Sequence, residues 1–153
     1  MSQQATRESR QALSGAKFFL ERAKSCRAEA RVDFEAFIEA AIVFARAAIH
    51  RMKSRHGHRN GWTEWWDSLR GDPAIEFFRR ERDWILKESS ARIGQKVYLH
   101  SVGSKKPPAF PPMARDYYYF KDPQTPATVT VEKHLIALER RVVEAEARFS
   151  DQG

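Results

Sequence analysis

The segment AFIEAAIVFARAAI, residues 36–49, decides the fold class. Its apolar residues cover most of a helix circumference, whereas a helix with one face in water carries a single apolar stripe. The surrounding pattern predicts a helix over residues 32–55. We expect this helix either to be the central helix of the domain or to be covered by a second subunit.

Apolar residues at alternating spacings of four and three predict further helices on both sides, over residues 3–31, 62–70, 73–92 and 129–149. Asp72 is the expected N-cap of the third long helix, since Pro73 suits the first helical position, and Gly94 is its expected C-terminal stop. The last helix is expected to start near Thr128 or Thr130.

Residues 95–128 differ in character, because they hold six of the seven prolines. They predict an irregular excursion with extended stretches at Lys96–Leu99 and Tyr117–Phe120, as in a short β-hairpin, and with tyrosines packed on the helices. Residues 1–153 are therefore expected to form a single all-α domain. Its predicted architecture is an antiparallel, up-and-down four-helix bundle with a short extra helix and this excursion before the last helix.

Composition narrows the class of protein. A net charge of +7, from 27 Lys and Arg against 20 Asp and Glu, favours a polyanionic partner. Cys26 is the single cysteine, which excludes an internal disulfide and fits a reducing cytoplasm. The sequence contains neither a membrane-length apolar run nor a secretory apolar core, so a cytoplasmic protein without a membrane partner is expected. No motif for a cofactor or a metal is present, and neither is expected.

Arg82 is the most informative polar position. It falls on the apolar stripe of the 73–92 helix with Ile75, Phe78 and Ile85, and a buried guanidinium needs a partner. The 32–55 helix carries a polar stripe on its otherwise apolar surface: Glu35, Glu39, Arg46, His50 and Lys53. Its two carboxylates, Glu35 and Glu39, are the candidates to orient Arg82. The alternatives without a function are a structural Arg–Glu bridge and a guanidinium that extends to the bundle edge.

The segment FFRRERDWILKE, residues 77–88, resembles the signature helix of the HEPN superfamily. The preceding Trp62, Trp65-Trp66, Leu69 and Asp72-Pro73 are similar to the connection before that helix in some members, so the resemblance covers residues 34–88. Members of this family are small four-helix domains, often dimeric, and many are metal-independent ribonucleases of toxin–antitoxin and phage-defence systems. Their motif is an Arg followed after four to six residues by a His.

The chain departs from that motif, because Lys87, Glu88 and Ser89 stand where the His would fall and Asp83 replaces a common Asn. The resemblance implies a homodimer that binds RNA or a protein partner without efficient catalysis, with Arg82, Asp83 and Lys87 along a groove. A lysine near its usual pKa of about 10.4 is a poor general base. Two alternatives stay open: an active metal-independent endoribonuclease using Arg82 with Lys87 or His50, and an interaction module or inhibitor without a nucleic-acid role.

Residues 40–63 contain no Asp or Glu, and their cations beside three tryptophans suit an RNA single strand. The expected RNA-binding residues are Arg46, Arg51, Lys53, Arg55 and Arg59, with His50 in the same field. The alternative is a solvated helix end whose cations favour the helix dipole. The helical spacing of the tryptophans favours core positions for them.

For the other polar residues that could carry chemistry, a structural or surface role is expected. His56 and His58, with His50 or Cys26, lack the four-ligand spacing of a structural metal site. Cys26 itself is expected to be a core thiol. His100 and His134 are expected to be surface or packing residues. Arg140, Arg141 and Glu144 are expected to lie on a solvated helix face.

Overall fold

The computed structural model describes residues 2–26, 31–88, 92–95 and 114–150, and it is mostly helical there. The helices are α1 (Ser2–Lys24), α2 (Arg31–His56), α3 (Trp62–Ser68), α4 (Pro73–Glu88) and α5 (Ala127–Phe149). A small antiparallel sheet precedes α5 and consists of β1 (Ile93–Gln95), β2 (Tyr117–Tyr119) and β3 (Asp122–Pro126), in the order β1-β2-β3. None of the described helices has both the length and the apolarity to cross a bilayer.

Helix α2 packs against α1, α4 and α5, in agreement with its expected central position. Five of its large apolar side chains are fully enclosed, whereas Val43 and Phe44 are exposed; the enclosed ones are Phe34, Ile38, Ile42, Ile49 and Met52. Helix α1 approaches it closely along a face of small residues. At Gly15 an added Cβ would lie 2.5 Å from the ring of Phe44, so glycine leaves room for that ring against α1.

Two predicted helix limits are wrong. Helix α1 ends at Lys24 instead of residue 31, although Cys26 remains buried as expected. Helix α4 ends at Glu88 instead of residue 92, because Ile93–Gln95 pair with β2, and Gly94 is therefore a strand residue. In both helices the apolar pattern continues in the sequence beyond the end of the helix. Helix α5 begins at Ala127, which agrees with the expected start near Thr128 and places Thr130 in the first turn.

The excursion before α5 contains the predicted strand at Tyr117–Tyr119, and Tyr117 and Tyr119 pack on the helices as expected, while Tyr98 lies outside the described residues. Tyr117 stacks on Phe34 with ring centres 4.1 Å apart. Strand β3 was not predicted, since it contains Pro123 and Pro126; as an edge strand it tolerates the missing N–H groups. The expected extended stretch Lys96–Leu99 lies outside the described residues.

Helix α5 is fixed to α3 and α4 through polar side chains. Asp72 caps α4 as predicted, accepting a hydrogen bond from the backbone N of Ile75 at 3.2 Å. Its other oxygen accepts from Nη2 of Arg141 at 3.0 Å. Glu144 accepts from Nε1 of Trp65 at 2.8 Å, which holds the pKa of Glu144 below its usual value. The expectation of a solvated face is therefore wrong for Arg141 and Glu144.

Candidate anion-binding groove between α2 and α4

Helices α2 and α4 bring cationic side chains together along one groove. Arg46, His50 and Lys53 follow one another at spacings of four and three, so they share a face of α2. Arg79 and Arg82 of α4 lie near enough to Arg46 to lower its pKa. At one end the groove opens into a cavity of about 240 Å³ between Arg46, Lys53, Trp66 and Arg79. The groove is defined here by Arg46, His50, Lys53, Arg79 and Arg82.

Arg46 is the electrostatically costly member of this groove. Its side chain is half-buried, and its buried Nε has no hydrogen-bond partner among the described residues. It also forms no ion pair within the described part of the chain. Burial is the largest cause of the lowered pKa of Arg46, and the charge of Arg82 is the next. The charge of Arg79 also lowers this pKa, while those of Asp83 and Glu76 raise it in part. A bound anion would offset this cost.

The neighbouring arginines carry acidic partners at the surface. Arg79 binds Glu76 at 2.5 Å, Arg82 lies 3.7 Å from Asp83, and Arg70 lies 3.9 Å from Asp67. Exposed ion pairs of this kind contribute little to stability. A phosphate group can therefore replace the carboxylates at small cost.

Arg82 lies at the edge of the fold rather than in the core. Its side chain is 37% exposed, while Ile75, Phe78 and Ile85 on the same stripe are buried. The long side chain extends out to the groove, as expected for the alternative in which the guanidinium reaches the edge of the helices. The buried charged residue of α4 is instead Glu81, which binds Arg92 at 2.8 Å.

The candidate orienting carboxylates have other surroundings. Glu35 binds Arg31 at 3.1 Å, one turn earlier on α2. Glu39 lies near Tyr119 and contributes to the raised pKa of that hydroxyl. Arg82 takes its acidic neighbour from the adjacent residue of its own helix, Asp83.

Of the two candidate proton acceptors, His50 is the one beside Arg82. Burial lowers the pKa of His50, and the charges of Arg46, Arg82 and Lys53 lower it further, which favours the neutral ring. Lys87 is exposed in the last turn of α4. It follows Arg82 by five positions, which corresponds to a rotation of about 140° around the helix. Ser89 lies outside the described residues.

The cations expected to form one RNA-binding field are divided among several surfaces. Arg46 and Lys53 lie in the groove. Arg51 points towards α1, where its Nη1 donates to the backbone O of Glu8 at 3.0 Å. Arg55 and Arg59 lie near His56, whose pKa their charges help to lower.

Two of the tryptophans occupy the core positions that their spacing favours, because Trp62 and Trp65 are 5% and 6% exposed. Trp66 is half-buried. Its ring stacks on Trp62 at 5.5 Å, and Nζ of Lys53 lies 5.0 Å from its ring centre. Trp66 therefore holds Lys53 in the groove by a cation–π contact.

The described side chains include no group of three His, Cys, Asp or Glu residues placed to hold a metal ion. His56 is buried beside Trp62 and Phe149, whereas His58 is exposed. The Cys26 thiol contacts the backbone O of Arg22 at 3.4 Å, and burial raises its pKa.

Arg79 was not identified from the sequence as a groove residue, and neither was Arg70, which lines the cavity at the end of the groove. The spacing of Arg79 and Arg82, three positions apart on α4, is the signal that points to a shared face. Compared with protein-family models, with curated proteins and with solved structures, the chain matches none of them.

Proposed function

We propose that this chain binds single-stranded RNA through the groove between α2 and α4, as a HEPN-like, up-and-down four-helix bundle without efficient catalysis. Arg46 carries the proposal, since its half-buried guanidinium has an unpartnered Nε and repelling neighbours in Arg79 and Arg82. RNA supplies phosphates at regular intervals along such a groove. A toxin–antitoxin or phage-defence context is part of the same proposal.

The phosphate backbone is the expected determinant of binding. The groove presents guanidinium and ammonium groups, and arginine matches phosphate geometry with a planar fork of N–H donors. Its tryptophan, Trp66, already stacks on Trp62 and carries Lys53. We therefore expect binding with strong salt dependence and little sequence preference.

The test compares two arginines of α2 that point in different directions. A labelled RNA single strand is titrated with the parent chain, Arg46→Gln and Arg51→Gln by fluorescence anisotropy, at several salt concentrations and with chelator. We expect Arg46→Gln to weaken binding about tenfold, and to lower the salt slope by about 0.7 for each lost phosphate contact. Arg51→Gln is the matched control, since its guanidinium binds Glu8 on α1.

Equal losses in both variants would contradict the groove and indicate diffuse attraction by the net charge. Absence of salt-dependent binding in the parent chain would overturn RNA function, and the remaining candidate would be a protein-interaction module or inhibitor.

A second candidate, a metal-independent ribonuclease, is favoured by the placement of His50, with its lowered pKa, beside Arg82. In that mechanism His50 accepts the 2′-hydroxyl proton, the 2′-oxygen bonds to phosphorus, and the P–O5′ bond breaks with a proton from water going to the leaving 5′-oxygen. Arg82 stabilises the phosphate charge during this step. Denaturing gels of the same mixtures test it. Chelator-resistant fragments that disappear in His50→Gln and in Arg82→Gln would replace the non-catalytic proposal.

We also propose that the chain forms a homodimer. Phe18 is 59% exposed and Phe44 36% exposed, and both contact Phe19. Apolar surface of this kind marks protein interfaces. Light scattering of the parent chain and of Phe18→Gln tests this: we expect a dimer that the substitution shifts to monomer, and a monomeric parent chain would contradict it.

A further inference from the structure

A second cavity, of about 360 Å³, lies between α4, α5 and the hairpin of β2 and β3. Phe77 and Glu81 line it from α4, Tyr119 from β2 and His134 from α5. None of these residues belongs to the groove proposed for RNA. The volume falls within the range of small-molecule sites, which is about 300–1,000 Å³.

Two buried polar groups in the cavity wall have an unsatisfied atom. Glu81 has a side chain that is 8% exposed; one oxygen accepts from Arg92, and Oε2 has no hydrogen-bond partner within the described part of the chain. Tyr119 is 5% exposed, and its hydroxyl is likewise without a partner there. Because buried polar groups are nearly always hydrogen-bonded, a molecule that reaches this pair from the cavity would form two hydrogen bonds that the described residues leave unmade.

The two groups define what the occupant must offer. The carboxylate of Glu81 accepts only, so it requires a donor. Burial, and next the charge of Glu81, raise the pKa of Tyr119 well above its usual value, so its hydroxyl keeps its proton and donates. The occupant therefore presents N–H groups beside an acceptor such as a carbonyl.

The rest of the cavity indicates a flat, anionic molecule. His134 stacks on Phe77 with ring centres 4.2 Å apart and nearly parallel, which forms a planar wall. At the rim the exposed cations Arg80, Lys121 and Lys133 outnumber the one exposed acid there, Asp122.

We propose that this cavity binds a guanine mononucleotide. The N–H edge of guanine donates to Glu81, its carbonyl accepts from the Tyr119 hydroxyl, and the phosphate lies at Lys121 and Lys133. Adenine offers one donor fewer along this edge and no carbonyl. The proposal is independent of RNA binding, because it uses another face of α4 and a different set of residues.

The test is calorimetric titration of the full chain with GMP, AMP and inorganic phosphate. We expect GMP to bind about tenfold more tightly than AMP. Tyr119→Phe should lower the affinity for GMP about tenfold and leave the affinities for AMP and phosphate unchanged. Tyr118→Phe is the matched control, since Tyr118 is the neighbouring strand residue and does not line the cavity. The thermal midpoint of each variant verifies folding.

NMR of the histidine rings locates the binding. GMP is expected to shift the His134 signals and to leave those of His50, in the other groove, unchanged. Equal affinity for GMP, AMP and phosphate would overturn the proposal and reduce the site to a cationic rim. No binding of GMP at millimolar concentration would likewise overturn it and leave water as the occupant.

Discussion

The carboxylate of Asp72 lies 3.0 Å from Nη2 of Arg141 and joins the first turn of α4 to the middle of α5. The same carboxylate caps α4 through Ile75, so a single side chain of 8% exposure both starts the helix and positions it. The cap and the ion pair of Asp72 together hold α4 in a fixed position against α5, and so they also fix the face of α4 that lines the groove.

Asp72→Ala removes the cap and the ion pair together, and we expect the free energy of unfolding to fall by about 2 kcal/mol in urea titrations. Asp72→Asn keeps a capping oxygen and should lose about half as much. The control is Asp67→Ala, because the pair of Asp67 with Arg70 is exposed and 3.9 Å long. Equal effects of Asp72→Ala and Asp67→Ala would contradict the joining role of Asp72.

Arg46→Met should stabilise the chain while weakening RNA binding. The substitution removes a half-buried cation that has repelling neighbours, and we expect a gain of about 1 kcal/mol, or about 3 °C in Tm. Stability and affinity thus change in opposite directions, as expected when a residue is kept for a ligand. A lower Tm for Arg46→Met would show that the guanidinium supports the fold.

Stability should decline as the pH falls below about 6.5, which is the ordinary histidine pKa. Burial lowers the pKa of His56 and of His134, so the unfolded chain binds more protons than the folded chain in this range. Stability is therefore gained as pH rises and lost as it falls. Thermal unfolding from pH 7.5 to 5.0 measures the slope.

His56→Phe should flatten that slope, because it removes a buried ring between Trp62 and Phe149 whose pKa is lower in the folded chain than in the unfolded chain. His58→Gln is the control at an exposed position two residues away. An unchanged slope in His56→Phe would assign the acid sensitivity to other groups.

Trp66→Leu should reduce RNA affinity less than about threefold and leave the salt slope unchanged, since Trp62 and Lys53 already contact the ring. A base stacked on an aromatic ring contributes about 1–3 kcal/mol, which corresponds to a much larger loss. A decrease of tenfold or more would mean that the ring takes up a base and that Lys53 moves away from it.

The strongly periodic helices were predictable from the sequence, and their ends were not. Periodicity reports which face is buried, and α2 could be placed centrally because its apolar residues surround it. The end of α4 depends on the pairing of Ile93 with Tyr119, a distant segment that no local pattern reveals.

The candidate site was predictable in part for the same reason. Arg46, His50, Lys53 and Arg82 were identified from stripe positions, and the structure brings them together. Arg51 was grouped with them by proximity in sequence, yet it binds α1 on another face. Glu81 was missed because the β2–β3 hairpin covers its side of α4, and the helical pattern contains no sign of that cover.

The order of the sheet also bears on how the chain folds. Helices α1 and α2 are consecutive, so their contacts close a short loop, whereas β1 must find β2 across a long intervening segment at a greater entropic cost. We therefore expect the sheet to form last and to open first in native-state hydrogen exchange. The cavity between α4, α5 and the hairpin exists only after that last step, so a molecule bound there would slow the opening.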